Sequence, residues 1–411
     1  MQGYLNTGQK AQCFGCEACA QACPKKAITI TEDEEGFRYP VVDGSLCVGC
    51  HICNKVCPFE NMPQKHEKDK YAFGGYHKDI KIRDRSTSGG AFSAIVDAWC
   101  DEDYVIFGAE ADGLNVYHSY IDDKENLPKY CKSKYSQSVI GDSFNKIKDF
   151  LKQGKKVVFS GTPCQNAALL SFLRNTNVHN LLMIEVICEG VPSPLFVRKY
   201  EEYLFNKYKS RIKTLDYRYK DCQPLESPIF GKWDFQVMYT SLQSQMVIKK
   251  DRWFNPFWSI WLDHLMSRPS CYKCPFTEKG RVADITLGDL WGVHIYCPEL
   301  YARNTGCSLI VCNTDKGKKA LQLAKRFLNG HELSFEEAIK YQSPMRKHID
   351  TNPKRYAFIA DLMDENMSYE TICKKWYRGP SIKLLWQKYV WGNRQKVFLW
   401  NLINKTRNKG D

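Results

Sequence analysis

Cys13-Phe-Gly-Cys16-Glu-Ala-Cys19-Ala-Gln-Ala-Cys23-Pro24 returns 34 residues later as Cys47-Val-Gly-Cys50-His-Ile-Cys53-Asn-Lys-Val-Cys57-Pro58. The C-x2-C-x2-C-x3-C-P spacing lets three thiolates of one run wrap a cubane and sends the fourth to the neighbouring one. It predicts one [4Fe–4S] cluster on Cys13, Cys16, Cys19 and Cys57, and a second on Cys47, Cys50, Cys53 and Cys23. A pair of zinc knuckles is the alternative, but zinc needs only four ligands per site and no crossed, proline-ended doubling. The prolines turn the chain away from each cluster. Between the runs, residues 27–30 and 37–42 flank an acidic turn at 32–36 and read as a hairpin. Residues 1–62 therefore read as a small bacterial-type dicluster ferredoxin domain, whose use is to pass single electrons.

The full chain has 411 residues, and at about 150 residues per domain it should hold two to three units. Apolar residues make up 43% and charged residues 26%, with mean hydropathy −0.47, which suits a water-soluble protein. No run of 18 or more apolar residues occurs, so a membrane-spanning helix is not expected. Residues 1–10 contain no apolar secretory core, which points to the cytoplasm. There, 19 cysteines speak for metal chemistry rather than disulfides. The net charge of +13 is concentrated at one end: residues 371–411 hold ten Lys and Arg against Asp411. The body is nearly neutral, so a nucleic-acid footprint over the fold is excluded.

After a charged linker, 63–70, strand-like runs at 105–109 and 116–121 accompany a helix at 90–99. Residues 143–151 have helical apolar spacing. Strands at 155–160 and 181–188 then alternate with helices at 166–173 and 195–208, the order of a parallel α/β unit whose loops gather at the strand C-termini. Segments at 214–219, 235–240 and 246–249 look like an antiparallel addition, and 308–313 is another apolar strand. The fold class expected is α+β and α/β combined: a dicluster ferredoxin (1–62), a mixed α/β domain (71–315) with antiparallel additions, and a helical, basic C-terminal extension (316–411).

Four turns are candidates for ligand contact: Ser86-Thr87-Ser88-Gly89-Gly90, Ser160-Gly161-Thr162-Pro163-Cys164-Gln165, Cys188-Glu-Gly190-Val-Pro192 and Gly288-Asp289-Leu-Trp-Gly292. Glycines and small hydroxyls expose backbone N–H groups where a phosphate or ring can approach. Cys164 and Cys188 fall at predicted strand ends, and Cys271-Tyr-Lys-Cys274-Pro275 adds a C-x2-C-P element. These four thiols either hold a third [4Fe–4S] cluster or divide into two buried small residues and a lone zinc or unliganded turn. A catalytic thiol is a further reading. Cys100, Cys131, Cys222, Cys297, Cys307, Cys312 and Cys373 lack ligand spacing and are expected to be buried structural residues.

Taken together with Tyr135-Ser136-Gln137-Ser138, the string Val157–Gln165, Cys188–Ser193 and Asp284–Gly292, these motifs resemble the beta subunits of coenzyme F420-reducing hydrogenase and its dehydrogenase relatives, over roughly residues 10–315. The resemblance implies a flavin, FAD rather than FMN, exchanging hydride with a two-electron partner and single electrons with Fe–S centres. It also strengthens the third-cluster reading, and it places the flavin among Ser86–Gly90, Ser136–Ser138, Gly161–Pro163, Gln165, Gly190 and Asp289. Where the family often has Cys-His-Gly, this chain has Cys188-Glu189-Gly190.

The expected activity is that of a ferredoxin-linked, flavin-dependent oxidoreductase acting on a small organic substrate or redox coenzyme. The alternative is a non-catalytic electron-delivery subunit serving a partner redox enzyme. Partners implied are a substrate or coenzyme, and a ferredoxin or redox subunit; a homo-oligomer is compatible with the sequence. In the tail, Ile382, Leu385, Trp386, Tyr389, Val390, Phe398, Trp400 and Leu402 interleave with the basic residues. That pattern fits either a peripheral contact at the inner membrane face or a helix packed on the body with a solvated basic side.

Overall fold

The computed structural model describes residues 2–220, 237–300 and 306–391, and beyond them 395, 398, 399, 402 and 403. Cys222 and residues 235 and 236, where the sequence predicts the start of a strand, lie outside the described residues.

Strands β1 (Ile28–Glu32) and β2 (Arg38–Val42) form the expected hairpin. The main sheet has eight strands. They are β3 (Tyr71–His77), β4 (Tyr104–Asp112), β5 (Asn115–Ile121), β6 (Lys156–Gly161), β7 (Leu181–Val186), β11 (Ile285–Asp289), β12 (Ser308–Cys312) and β13 (Leu328–Leu333), in the order β13-β3-β12-β11-β7-β6-β4-β5. The centre, β11-β7-β6-β4, is parallel and the flanking pairs are antiparallel. A separate three-stranded antiparallel sheet contains β8 (Ile212–Tyr219), β9 (Val237–Leu242) and β10 (Val247–Asp251). The antiparallel addition thus forms, but as a sheet of its own.

The parallel strands are apolar on both faces, as strands covered on both sides must be. Ile106, Val158, Leu182 and Ile184 meet the helices Ala91–Trp99 and Asp315–Ala324 on one face. Val105, Phe107, Val157, Phe159, Leu181 and Met183 meet Ser143–Lys152 and Pro163–Leu173 on the other. Cys16, Ala18 and Val56 of the ferredoxin segment join that second core, and Phe14 packs with Ala167, Phe276 and Val282. The stretch 63–70 is docked as well, through backbone pairing of His66 with Arg281.

Three expectations change. The helix expected from residue 166 begins at Pro163, because Thr162 caps it and Gln165 closes a capping box, with proline at the first helical position. The strand expected to reach Cys188 ends at Val186, leaving Cys188 in the following loop. The C-terminal extension is not purely helical, since β13 pairs with β3 at the sheet edge, and the helix Asp315–Ala324 crosses the boundary drawn at 316. No described helix is long and apolar enough to cross a membrane.

His118 on β5 is buried, with Nε2 2.9 Å from the Ser160 carbonyl. Burial lowers its pKa to about 4, and Lys134 adds to the effect. A histidine depressed in the folded state supports the fold fully above its unfolded pKa near 6.5, and that support is lost as pH falls toward 4. Between pH 7 and pH 5 the folded protein should lose about 2 kcal/mol through this group. His118→Gln should flatten that limb in urea melts at the two pH values; parallel pH profiles would remove the assignment.

Candidate functional site

The two cysteine runs share one backbone conformation. Gly15 and Gly49 have φ of +66° and +67°, and Glu17 and His51, two residues further on, have +59° and +56°. These left-handed residues, strained for all but glycine, fold each run back on itself ahead of the short helices Ala18–Ala22 and Ile52–Lys55. Burial first, and then neighbouring thiols, raise the pKa of Cys16 and Cys19, with Cys13 and Cys57 facing both. Cys57 therefore crosses to the first run. Burial, then Cys50 and Cys23, raises Cys53, so Cys23 crosses the other way. Cys47 and Cys50 are exposed.

A third set assembles in the body. Cys164 lies in the first turn of Pro163–Leu173, its Sγ 3.1 Å from Thr162 Oγ1. Backbone bonds from Ser193 to Met266 (2.8 Å) and from Arg268 to Val191 (2.9 Å) lay the turn Pro269–Lys273 on the loop after β7. Cys271 and Cys274 thereby reach Cys164 and Cys188. Burial, then Cys271, Cys164 and Cys274, drives Cys188 well above its usual range. Burial pushes Cys271 to about 11 and Cys274 to about 12, with Cys164 facing both.

Arg268, 1% exposed, joins the third set to the first. Its Nε donates to the Cys13 carbonyl (3.0 Å), Nη2 to the Arg38 carbonyl (2.9 Å) and Nη1 to Gln137 Oε1 (3.0 Å). Cys13 and Cys271 both raise its pKa against burial. Gln137 donates to the Phe14 and Gly15 carbonyls at 2.8 and 3.0 Å, so its amide is occupied at this junction. Ser138 accepts from Gln165 (2.9 Å), whose Oε1 accepts from Thr162 N (2.9 Å). A Cβ on Gly161 would meet Gln165 Oε1 and Phe159. Ser136 bonds Tyr217, and Gly190 sits against Cys271.

The Ser86–Gly90 turn lies against β3 and β12, where Ser308, the acceptor of the Gly89 N–H, is in register with Asp289. Ser86 Oγ donates to Ile82 O (2.7 Å), Thr87 Oγ1 accepts from Ser133 N (2.7 Å), and Ser88 Oγ donates to Cys307 O (2.8 Å). A Cβ on Gly89 would stand 2.6 Å from the Gly75 carbonyl and 2.7 Å from Ser308 N. A bulky residue there would disturb the pairing of β3 with β12, so Gly89 cannot report on ligand binding alone. Buried Lys220 donates to the Arg83 and Ser88 carbonyls, each at 2.7 Å.

Beside Cys188 stands a polar cluster of which sequence reasoning named Asp289 and Glu189 but missed Arg218 and Arg252. Arg218, 6% exposed, pairs with Asp289 at 2.5 Å and lies over the Trp291 ring. Burial opposes its charge, yet Asp289 and Tyr135 raise its pKa. Burial and the facing Arg218 lower Arg252 to about 10, and burial raises Glu189, which faces Arg252. No local pattern marks the two arginines, because a lone arginine in sequence carries no sign of burial.

Residues 12–61 match the family model described as the 4Fe-4S dicluster domain, and residues 154–333 match that of the C terminus of the coenzyme F420 hydrogenase/dehydrogenase beta subunit. Residues 154–333 belong to this beta-subunit family. Cys164, Cys188, Cys271, Cys274 and Asp289 lie within the matched span; Ser86–Gly90 and Tyr135–Ser138 precede it. No curated protein matches. Among solved structures, a chain of the F420-reducing [NiFe] hydrogenase complex from Methanosarcina barkeri is similar at 15% identity. The match has a TM-score of 0.42 and covers 76% of this chain and 94% of that one. By the two family matches, residues 12–61 are of the iron–sulfur dicluster kind and residues 154–333 of the beta-subunit kind.

Cys100, Cys131, Cys297, Cys307 and Cys312 are buried, and Cys373 is partly buried. In the tail, Ile372 and Trp376 of the helix Tyr369–Trp376 are buried, with Trp376 Nε1 donating to Asp361 (2.6 Å). In the next helix, Ile382–Tyr389, Ile382 and Trp386 are exposed, as are Val390, Phe398 and Leu402; Trp400 lies outside the described residues. Among the described residues, the first part of the tail packs as expected of a body-bound helix.

Proposed function

We propose that this chain is an iron–sulfur flavoprotein that moves electrons between [4Fe–4S] clusters and a flavin, which in turn exchanges hydride with a small organic substrate or redox coenzyme. A cubane passes one electron at a time and a flavin one or two, so together they convert between the two currencies. The observation that carries the reading is the order of groups. The Cys13 set touches Arg268, Arg268 faces the set of Cys164, Cys188, Cys271 and Cys274, and that set adjoins Glu189, Arg252, Arg218 and Asp289. Arg268 would hold the two cysteine sets at a fixed separation and offset their negative charge.

A flavin fits the last cluster of groups. Arg218 Nε is buried without a partner, an arrangement that calls for an acceptor, and flavin carbonyls and phosphates are acceptors. Trp291 and Tyr135 supply aromatic faces beside Arg218. The exposed Cys47 and Cys50 place the outer end of the chain where a redox partner could dock, which favours exchange with a ferredoxin or partner subunit.

Anaerobically purified protein should contain about twelve irons and one acid-released flavin per chain. Cys271→Ser should lower iron to about eight with the flavin kept, and Arg218→Met should lose flavin with all iron kept. Iron unchanged in Cys271→Ser would return the four body cysteines to a structural role, and full flavin occupancy in Arg218→Met would show the flavin site to be elsewhere.

A further inference from the structure

One trio of side chains outside this electron path has the geometry of metal ligands. Cys297 follows the helix Val293–Tyr296 and Glu299 lies in the turn Pro298–Leu300, whereas His331 comes from β13. Cys297 Sγ stands 2.9 Å from His331 Nε2 and 3.2 Å from Glu299 Oε1. Glu299 Oε1 is in turn 3.3 Å from His331 Nε2. These are the closest-grouped thiol, imidazole and carboxylate among the described residues.

We propose that Cys297, Glu299 and His331 bind one zinc ion. Sulfur about 2.3 Å and nitrogen or oxygen about 2.0–2.1 Å from a tetrahedral zinc stand roughly 3.3–3.6 Å from one another; the carboxylate and imidazole already have that separation, and the thiol stands about half an ångström nearer the imidazole, a hydrogen-bonded closeness that a bound ion would part. A hydrogen-bonded catalytic relay would present the carboxylate to the far imidazole nitrogen, as in Cys-His-acid triads. Here thiol and carboxylate both meet Nε2, so the three ligand atoms converge on one point, the pattern of chelation. A thiolate and a carboxylate would neutralise a divalent ion, and a thiolate–imidazole pair selects zinc over calcium or magnesium. Cys297 is buried, while His331 and Glu299 reach solvent with side chains 45% and 53% exposed, which leaves the fourth position for water.

The ion would have a mechanical consequence. Among the described residues β13 is the edge strand of the sheet, paired with β3, and the Cys297 turn closes the segment that carries Asp289 and Trp291. Zinc would staple the sheet edge to that segment and so keep the Arg218 partner in place.

The full chain, purified without oxygen, should hold about one zinc in addition to its iron, falling below about a tenth in Cys297→Ser and in His331→Gln. Iron content should be unchanged in both variants, which separates this site from the cysteine sets. Zinc K-edge absorption on the unaltered protein supplies a test independent of the variants. One sulfur with two or three nitrogen or oxygen neighbours supports the assignment. Four sulfurs would place the zinc in a vacated cysteine set and overturn it, as would absence of zinc or equal zinc in all three proteins.

Discussion

Cys57→Ala is expected to remove about four irons from the set built on Cys13, Cys16 and Cys19, and to spare the set of its own run. Cys57 is half-buried and faces Cys13, and with Cys13, Cys16, Cys19 and Cys53 it lines one cavity together with Tyr4 and Pro40. A cubane left with three protein thiolates loses its fourth anchor and is shed or degraded. Electron paramagnetic resonance of the reduced protein should show one ferredoxin-type signal missing and one intact, and Cys23→Ala should give the converse pair. Damage confined to the Cys47, Cys50 and Cys53 set in the Cys57 variant would refute the crossing.

Arg281→Met should cost about 3–5 kcal/mol, the typical result of stripping the partner from a fully buried charge. Glu185 is 0% exposed near the C-terminal end of β7, with β6 on one side and β11 on the other. Arg281, 2% exposed, pairs with it and also donates to the Phe276 carbonyl at 2.6 Å. Thr286 Oγ1 is the other donor to Glu185, at 2.8 Å, and cannot neutralise it. The loss should appear as a lower midpoint of chemical denaturation followed by far-ultraviolet circular dichroism. Adding Glu185→Gln should recover a large share of the loss, because it removes the stranded charge; a double variant as weak as the single one would show that packing, rather than charge, is at stake.

The ferredoxin segment is readable as a unit in sequence but is not separable in space. Phe14, Cys16, Ala18 and Val56 lie in cores built mainly by the α/β body. Glu35, at the hairpin turn, pairs with Arg355 at 2.6 Å, with both side chains buried. Removing residues 1–62 would open both cores and strand Arg268 and Arg355, so cysteine variants of the full chain are the cleaner test of the third set.

What the sequence determined by itself is local. Two identical cysteine spacings specify which thiolates can reach one metal cluster, because a few residues of backbone set that reach. Continuous apolar runs at Val105–Phe107 and Val157–Phe159 specify strands buried on both faces. The tertiary structure decided everything that depends on residues distant along the chain. Only the docking of Pro269–Lys273 on the loop after β7 turns Cys271 and Cys274 toward Cys164 and Cys188. Only burial against the ferredoxin turns Arg268, an ordinary arginine in sequence, into the contact between two cysteine sets. Glu185 in an apolar strand reads as an anomaly until Arg281, 96 residues later, reaches it. Cys297 and His331 meet because β13 returns to β3 at the sheet edge. Spacing along a chain constrains only neighbours, while long-range pairs are set by which apolar faces must be covered, and that is settled when the whole core packs.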